Sequence, residues 1–255
     1  MPDSSPVAET YDRIAHLYDV DMARNMPFDH VHFYAGLSEL AGGRVLEIGC
    51  GNGRVLLELL RRGIDAYGVD RSEGMLAQLR RKTDRQALDG RVCQMDARAL
   101  AFSNAFALIL CPYSLVTYMV TELDLGQMLD GIRTALEASG RIIIDAFVPQ
   151  SDLGSEGFQI DYRRAHGDAL LTRSKRVAAI GTLLNRIERR YELVAADGTL
   201  LEQIETHEDI RPFVPQTLCE LLVSSGFRVD AVWWNYASGE PPTNPRFFTV
   251  GASIA

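Results

Sequence analysis

The segment best suited to chemistry is Val45-Leu-Glu-Ile-Gly-Cys-Gly-Asn-Gly-Arg-Val55, which sets Glu47 ahead of glycines at 49, 51 and 53. Glycines so spaced, on a bend from strand to helix, allow a tight turn and a ligand in contact with backbone. The spacing departs from the G-x-G-x-x-G of dinucleotide turns, where a pyrophosphate rests on a helix start. Glu47 would repel a pyrophosphate and suits a ligand carrying a cationic sulfonium and ammonium. Two more acids fall at matching places: Asp70 ends the next apolar run and Asp96 follows the one after. A carboxylate at the first can accept from both hydroxyls of a ribose, and at the second from an adenine amino group. One such acid alone could as well cap a helix. Three at consecutive strand ends beside a glycine turn point to one site around Glu47, Gly49, Gly51, Gly53, Asp70 and Asp96, with Cys50, Asn52 and Arg71 next to them in the chain.

The elements that would hold these residues are short apolar runs alternating with amphipathic stretches. The runs are Arg44–Ile48, Asp65–Val69, Arg91–Met95, Phe106–Cys111 and Arg141–Asp145, with helical patterns such as Val55–Arg62 and Gly74–Arg81 between them. Near-continuous apolar strands separated by helices imply a parallel sheet covered on both faces. Gly63 and Gly140 stand where helices should end before a strand. From Arg163 to Ile210 the texture changes to long strands with turn signals at His166-Gly-Asp168, Ile180-Gly-Thr182 and Ala196-Asp-Gly-Thr199. That predicts an antiparallel insertion of about three or four strands. A helix over Pro215–Ser225 and strands at Phe227–Trp234 and Arg246–Ala252 complete the pattern. The expected architecture is α/β: a Rossmann-like doubly wound sheet, mostly parallel with an antiparallel last strand, and a β insertion between strands five and six. Four segments follow: an N-terminal helical cap over 1–40, a binding core over 41–150, the insertion or lid over 151–212, and the completion of the core over 213–255.

The chain of 255 residues carries a formal charge of −8, which argues against a nucleic-acid partner, since phosphate binding needs a basic face. Cys50, Cys93, Cys111 and Cys219 are scattered with no C-x-x-C pair, as expected of reduced thiols. No apolar run approaches the roughly 18 residues of a membrane span, and Met1–Thr10 lacks a signal-peptide core. The expectation is a cytoplasmic protein, monomeric or homodimeric, acting on a small molecule.

The E-x-G-x-G-x-G turn, the Asp after strand two, the Asp-Ala after strand three and the closing strand pair resemble class I S-adenosylmethionine-dependent methyltransferases over nearly the whole chain. The resemblance implies S-adenosyl-L-methionine as cofactor. Its methionine part would lie on the glycine turn, its ribose on Asp70, and its adenine against Asp96, the Ala97 amide and Met75. Tyr11-Asp-Arg-Ile-Ala-His-Leu-Tyr-Asp19 further resembles the Y-D-x-x-A-x-x-Y-D entry helix of small-molecule members such as glycine N-methyltransferase and the aminosugar N-methyltransferases. In those relatives that helix closes over the cofactor, which makes Tyr11 and Tyr18 candidates for contact with donor and acceptor. An amphipathic helix with Ile14 and Leu17 turned inward is the plainer alternative.

Methyl transfer needs alignment, exclusion of water and removal of any proton on the acceptor atom. The loop Cys111-Pro-Tyr-Ser-Leu-Val-Thr-Tyr-Met119 is similar to the relatives' P-F-N-S-F-x-H-L segment, so Cys111 and Tyr113 join the cofactor set. Tyr118 stands in the slot that relatives often fill with histidine. A phenol titrating near pH 10 is a poor base, so Tyr118 is expected to orient the acceptor, with Tyr18 and His16 as further catalytic candidates. His30 and His32 form an H-x-H with no third ligand in register, and no metal is expected. Trp233, Trp234 and Tyr236 could wall a pocket or pack the sheet. A binding protein that does not methylate, or an NAD-dependent oxidoreductase, are the competing readings, the latter disfavoured by Glu47 and the glycine spacing.

Overall fold

The computed structural model describes residues 6–23, 28–83, 85–149 and 157–255, and these fall into two compact units. One gathers the described parts of 28–149 and 212–255; the other joins those of 1–27 and 150–211.

The larger unit is built on a seven-stranded sheet. Its strands are β1 (Val45–Ile48), β2 (Ala66–Asp70), β3 (Val92–Gln94), β4 (Phe106–Cys111), β5 (Leu136–Phe147), β10 (Phe227–Trp234) and β11 (Phe247–Ile254). They lie in the order β10-β11-β5-β4-β1-β2-β3, parallel from β5 to β3, with β11 antiparallel to both its neighbours. The chain reverses its winding between β1 and β4, which opens a crevice at the carboxyl ends of those strands, where doubly wound sheets bind ligands.

Alternate residues of each strand take opposite faces. Leu46, Ile48, Ile109, Cys111, Ile142, Ile144, Phe248 and Val250 form one buried layer with Leu125, Met128 and Leu129 of α7 (Glu122–Ala135) and Leu218 and Leu222 of α8 (Pro215–Ser224). Glu47 and Asp145 project to the other face, where α3 (His30–Glu39) lies, as shown by the Tyr34 hydroxyl donating to Asp145 Oδ2 at 2.5 Å. Local signals set the helix starts. Asp29, Ser72 and Thr121 cap α3, α5 (Glu73–Lys82) and α7 by accepting the amides of His32, Met75 and Asp124, and Pro215 opens α8. Gly63, at φ +75°, follows α4 (Leu56–Arg61) as expected.

Gly140 does something else. Helix α7 stops at Ala135 and β5 begins at once, so Gly140 lies inside a strand, near a shift in the β4–β5 register. A side chain there would sit 3.0 Å from the Phe106 carbonyl, so the glycine marks a close backbone approach and not a helix end.

The smaller unit is a four-stranded antiparallel meander of β6 (Gln159–His166), β7 (Ala169–Ala179), β8 (Asn185–Ala195) and β9 (Leu200–Ile210). The N-terminal segment packs on it. That segment is two helices, α1 (Pro6–Ile14) and α2 (Tyr18–Met22), broken by a turn over 15–17, where one entry helix over Tyr11–Asp19 is expected. Ile14 and Leu17 are buried with Leu171, Tyr191 and Ile204 of the sheet. Asp21 fastens the segment. It accepts from Tyr162 Oη at 2.6 Å and Tyr191 Oη at 3.3 Å and is ion-paired with Arg173.

Candidate cofactor and transfer site

The glycine turn leaves β1 at the topological switch. Gly49, Gly51 and Gly53 all have positive φ, at +73°, +53° and +88°. Their space is taken. A Cβ on Gly49 would lie 2.3 Å from Leu115 Cδ1, and one on Gly51 would lie 3.0 Å from Met75 Cε and 3.9 Å from Asp70 Oδ2. The amides of Gly49 and Cys50 both donate to the Val69 carbonyl, at 2.8 and 3.0 Å, which ties the turn to β2. Asp70 takes the Gly51 amide on Oδ2 at 2.7 Å and the Ser72 amide on Oδ1 at 2.8 Å. This carboxylate therefore shapes the turn as well as facing the crevice side of β2.

Glu47 is 1% exposed, and its Oε2 has no hydrogen-bond partner among the described residues. Burial pushes its carboxyl well above the usual range, against the Leu56 amide that donates to it, and the nearby Asp70 charge pushes the same way. An orphaned buried acid beside a positive-φ turn suits a ligand that brings donors or positive charge. Asp96 is placed differently. Its Oδ1 accepts the Arg98 amide at 2.9 Å and Arg98 Nε at 3.0 Å; its Oδ2 accepts Arg98 Nη2 at 2.8 Å and lies 3.2 Å from Arg71 Nη1. Burial opposes ionisation of Asp96, but the Arg98 hydrogen bonds and the Arg71 charge outweigh it and hold its pKa low. Four donors match the roughly four lone-pair directions of a carboxylate. An adenine amino group would have to displace one of them.

The remaining candidates divide by location. Met75 is buried over Gly51, Ala97 packs half-buried on the core, and Asn52 is buried in the turn. Cys50 and Cys111 are fully enclosed, and burial raises both thiol pKa values, which removes them as nucleophiles. Tyr118 ends a short 3₁₀ turn, Leu115–Tyr118, and rests on the α7–α8 side of the core. Tyr11, His16 and Tyr18 belong to the smaller unit. There Tyr11 and Tyr18 meet edge to face at 6.0 Å, and His16 Nε2 pairs with Glu202 at 2.9 Å. His30 and His32 turn to different partners, Tyr113 and Arg62.

A polar cluster that no sequence motif announces lies at the carboxyl ends of β1, β4 and β5. Asp145, fully buried on β5, accepts from Tyr34 Oη at 2.5 Å, Tyr236 Oη at 2.6 Å and the Ser114 amide at 2.5 Å. Burial raises its pKa even against these bonds. Tyr113 and Ser114 both have φ +58°, and Asn235 and Tyr236 are also left-handed, so two strained turns converge on this carboxylate. Next to them the Tyr113 hydroxyl makes a short hydrogen bond with His30 Nε2 and accepts from Arg54 Nε at 3.2 Å.

A methyltransferase-domain family model matches residues 45–140, from β1 into β5. An S-adenosylmethionine-dependent methyltransferase from Clostridium acetobutylicum ATCC 824 superposes with a TM-score of 0.76, at 17% identity, over 96% of this chain and 99% of that one. Residues 45–140 thus match a methyltransferase domain, and the chain shares its fold with S-adenosylmethionine-dependent methyltransferases. The S-adenosylmethionine-bound amino pentose methyltransferase CalS10 of Micromonospora echinaspora shares the methyltransferase fold, with a TM-score of 0.71 at 17% identity over 94% of this chain and 97% of that one. An uncharacterized methyltransferase of Geobacillus kaustophilus (strain HTA426) is 34% identical over 95 residues, 37% of this chain and 41% of the relative. The chain spans about half the length of the curated relatives it matches. Neighbours that share the fold are solved with S-adenosylmethionine or S-adenosylhomocysteine bound. The glycine turn and the orphaned Glu47 oxygen fit S-adenosylmethionine; Asp96 fits its adenine only by exchanging an arginine.

Proposed function

We propose that this methyltransferase moves a methyl group from S-adenosylmethionine to a nitrogen or oxygen of a small-molecule acceptor by in-line displacement. The observation that carries the reading is the glycine turn at the switch point, with Glu47 and Asp70 around it and a methyltransferase-domain match over the same residues. When bound, the cofactor supplies a methyl carbon activated by its sulfonium. The chain's own residues bind and align. Gly49, Gly51 and Gly53 let the methionine part lie on backbone, Glu47 answers its positive charge, and Asp70 holds the ribose. Met75 packs on the adenine, which is bounded by Arg71, Asp96 and Ala97; Asn52, Cys50 and Cys111 shape the turn and the strand end. Tyr118 orients the acceptor. A nitrogen acceptor of aminosugar type is favoured by the fold likeness to an amino pentose methyltransferase. The net charge of −8 supports a small acceptor over a nucleic acid, and four free cysteines support a reducing compartment such as the cytoplasm. Among the described residues no helix is long and apolar enough to cross a membrane.

Labelled S-adenosylmethionine turned over against a metabolite panel that includes free aminosugars tests the reading. Calorimetry should show S-adenosylhomocysteine binding without added metal and no heat from NAD. Saturable NAD binding at micromolar concentration, or cofactor binding with no methyl transfer to any acceptor, would overturn it. With an acceptor in hand, Tyr118→Phe should lower kcat by about tenfold to a thousandfold and leave cofactor affinity unchanged. Full activity from pH 6 to 9 would make Tyr118 a packing residue.

A further inference from the structure

The cluster beside Asp145 contains a pair that alignment alone does not use. His30 begins α3 and is buried; its Nδ1 lies 3.0 Å from the Phe28 carbonyl. A carbonyl can only accept, so Nδ1 carries the ring proton and Nε2 presents its lone pair. That lone pair meets the Tyr113 hydroxyl. Tyr113 opens the loop after β4, directly over the glycine turn, where Leu115 of the same loop fills the space above Gly49. Cys111, Pro112 and Ser114 around it are buried, while Tyr113 itself keeps partial exposure. The left-handed backbone at Tyr113 and Ser114 is held by the Asp145 carboxylate, so the phenol is fixed in place at some cost in strain.

We propose that His30, reached through the Tyr113 hydroxyl, is the proton acceptor of the transfer reaction when the acceptor is a protonated amine. The proposal rests on the amine form of the function above. The ammonium N–H gives its proton to the Tyr113 oxygen as the Tyr113 proton passes to His30 Nε2. The freed nitrogen lone pair then forms the new bond to the methyl carbon, and the pair of the breaking C–S bond stays on sulfur. The products are a methylated ammonium, an imidazolium still donating Nδ1–H to Phe28, and a neutral thioether; two positive charges enter and two leave.

The surroundings suit this route. Burial, with the Arg54 charge, lowers the His30 pKa against the Phe28 carbonyl and Asp29, so the ring is neutral and able to accept at pH 7. Burial raises the Tyr113 pKa although Arg54 opposes it, so the phenol stays protonated and relays a proton without resting as phenolate. Glu47 on β1 and Asp145 on β5 add to that rise. Tyr34 and Tyr236 already donate to Asp145 and do not compete for His30.

Two measurements on the full chain test the proposal. The first follows imidazole nitrogens of histidine-labelled protein by NMR from pH 5 to 9 with S-adenosylhomocysteine bound. His30 should titrate below the ordinary histidine range, and Tyr113→Phe should move its midpoint by roughly half a pH unit or more. An identical midpoint in both proteins removes the pair whatever the acceptor is. The second compares methylation of the best aminosugar acceptor by wild type, His30→Gln and Tyr113→Phe. Both variants should lose at least about tenfold in kcat at pH 7, His30→Gln should keep the KM for S-adenosylmethionine within about twofold, and the acid limb of the wild-type kcat/KM profile should vanish in His30→Gln. If His30→Gln keeps the rate and the limb while wild type methylates an amine, the route is wrong and the methyltransferase reading stands. If wild type methylates no amine, the acceptor reading fails and takes the route with it, while the NMR result still reports on the pair.

Discussion

Single carboxylates do two jobs at this site, and the jobs can be separated. Asp70 bonds the Gly51 and Ser72 amides, so Asp70→Ala should weaken S-adenosylhomocysteine binding by about 1.5–3 kcal/mol, the range for hydrogen bonds to a charged group. Asp96→Ala should weaken it less, because Arg98 and Arg71 already occupy that carboxylate. Isothermal titration of both variants checks the order, and a larger effect at Asp96 would reverse the assignment. Glu47 gives a pH-dependent test. Its folded pKa lies above the unfolded one, so the folded state holds the extra proton. The stability this contributes is present below the ordinary carboxylate range and is lost as pH rises through the folded value. Glu47→Gln removes that loss. Its urea-unfolding midpoint relative to wild type should therefore be higher at pH 8 than at pH 5, while affinity for S-adenosylhomocysteine falls.

At the scale of elements, two glycines in different backbone settings should respond with opposite sign. Gly49 joins β1 to the turn at φ +73°, with Leu115 Cδ1 2.3 Å from any added Cβ. Gly49→Ala should cost about 1–3 kcal/mol through left-handed strain and displacement of the Leu115 loop. Gly126 lies within α7 with nothing within 4 Å of an added Cβ, so Gly126→Ala should stabilise by about 0.5–1 kcal/mol. Thermal melts of the two variants suffice, and equal shifts of one sign would contradict the backbone argument. The break between α1 and α2 belongs to this scale too. Ile14 and Leu17 each turn inward, and the turn over 15–17 lets both reach the sheet.

For the molecule as a whole, the N-terminal segment and the insertion are one folding unit although well over a hundred residues separate them. Asp21 is their main polar tie, 5% exposed and ion-paired with Arg173 at 12%. Removing one member of a buried pair strands the other charge, so Asp21→Ala should destabilise this unit by about 3–5 kcal/mol. Hydrogen exchange should quicken in β6–β9 and leave β1, β4 and β5 protected. Uniform loss of protection across both sheets would show that the two units unfold together.

What the sequence by itself determined is what is local or periodic. Apolar runs of strand length, the glycine turn with Glu47, the acids at Asp70 and Asp96, and the turn signals from Gly167 to Gly198 each carry their physics within a few residues. Backbone sterics and alternation act at that range, so the seven-stranded sheet and the antiparallel insertion were legible. Gly140 was not, since the same residue serves a helix end and a close strand approach, and only the pairing of β5 with β4 distinguishes them. The cluster around Asp145 was not legible either. Its bonds join residues 111, 91 and 31 positions apart, and His30 meets Tyr113 across 83. No spacing encodes such partners. They are chosen by burial: a carboxylate, a phenol or an imidazole removed from water must find whichever polar group the fold brings within reach.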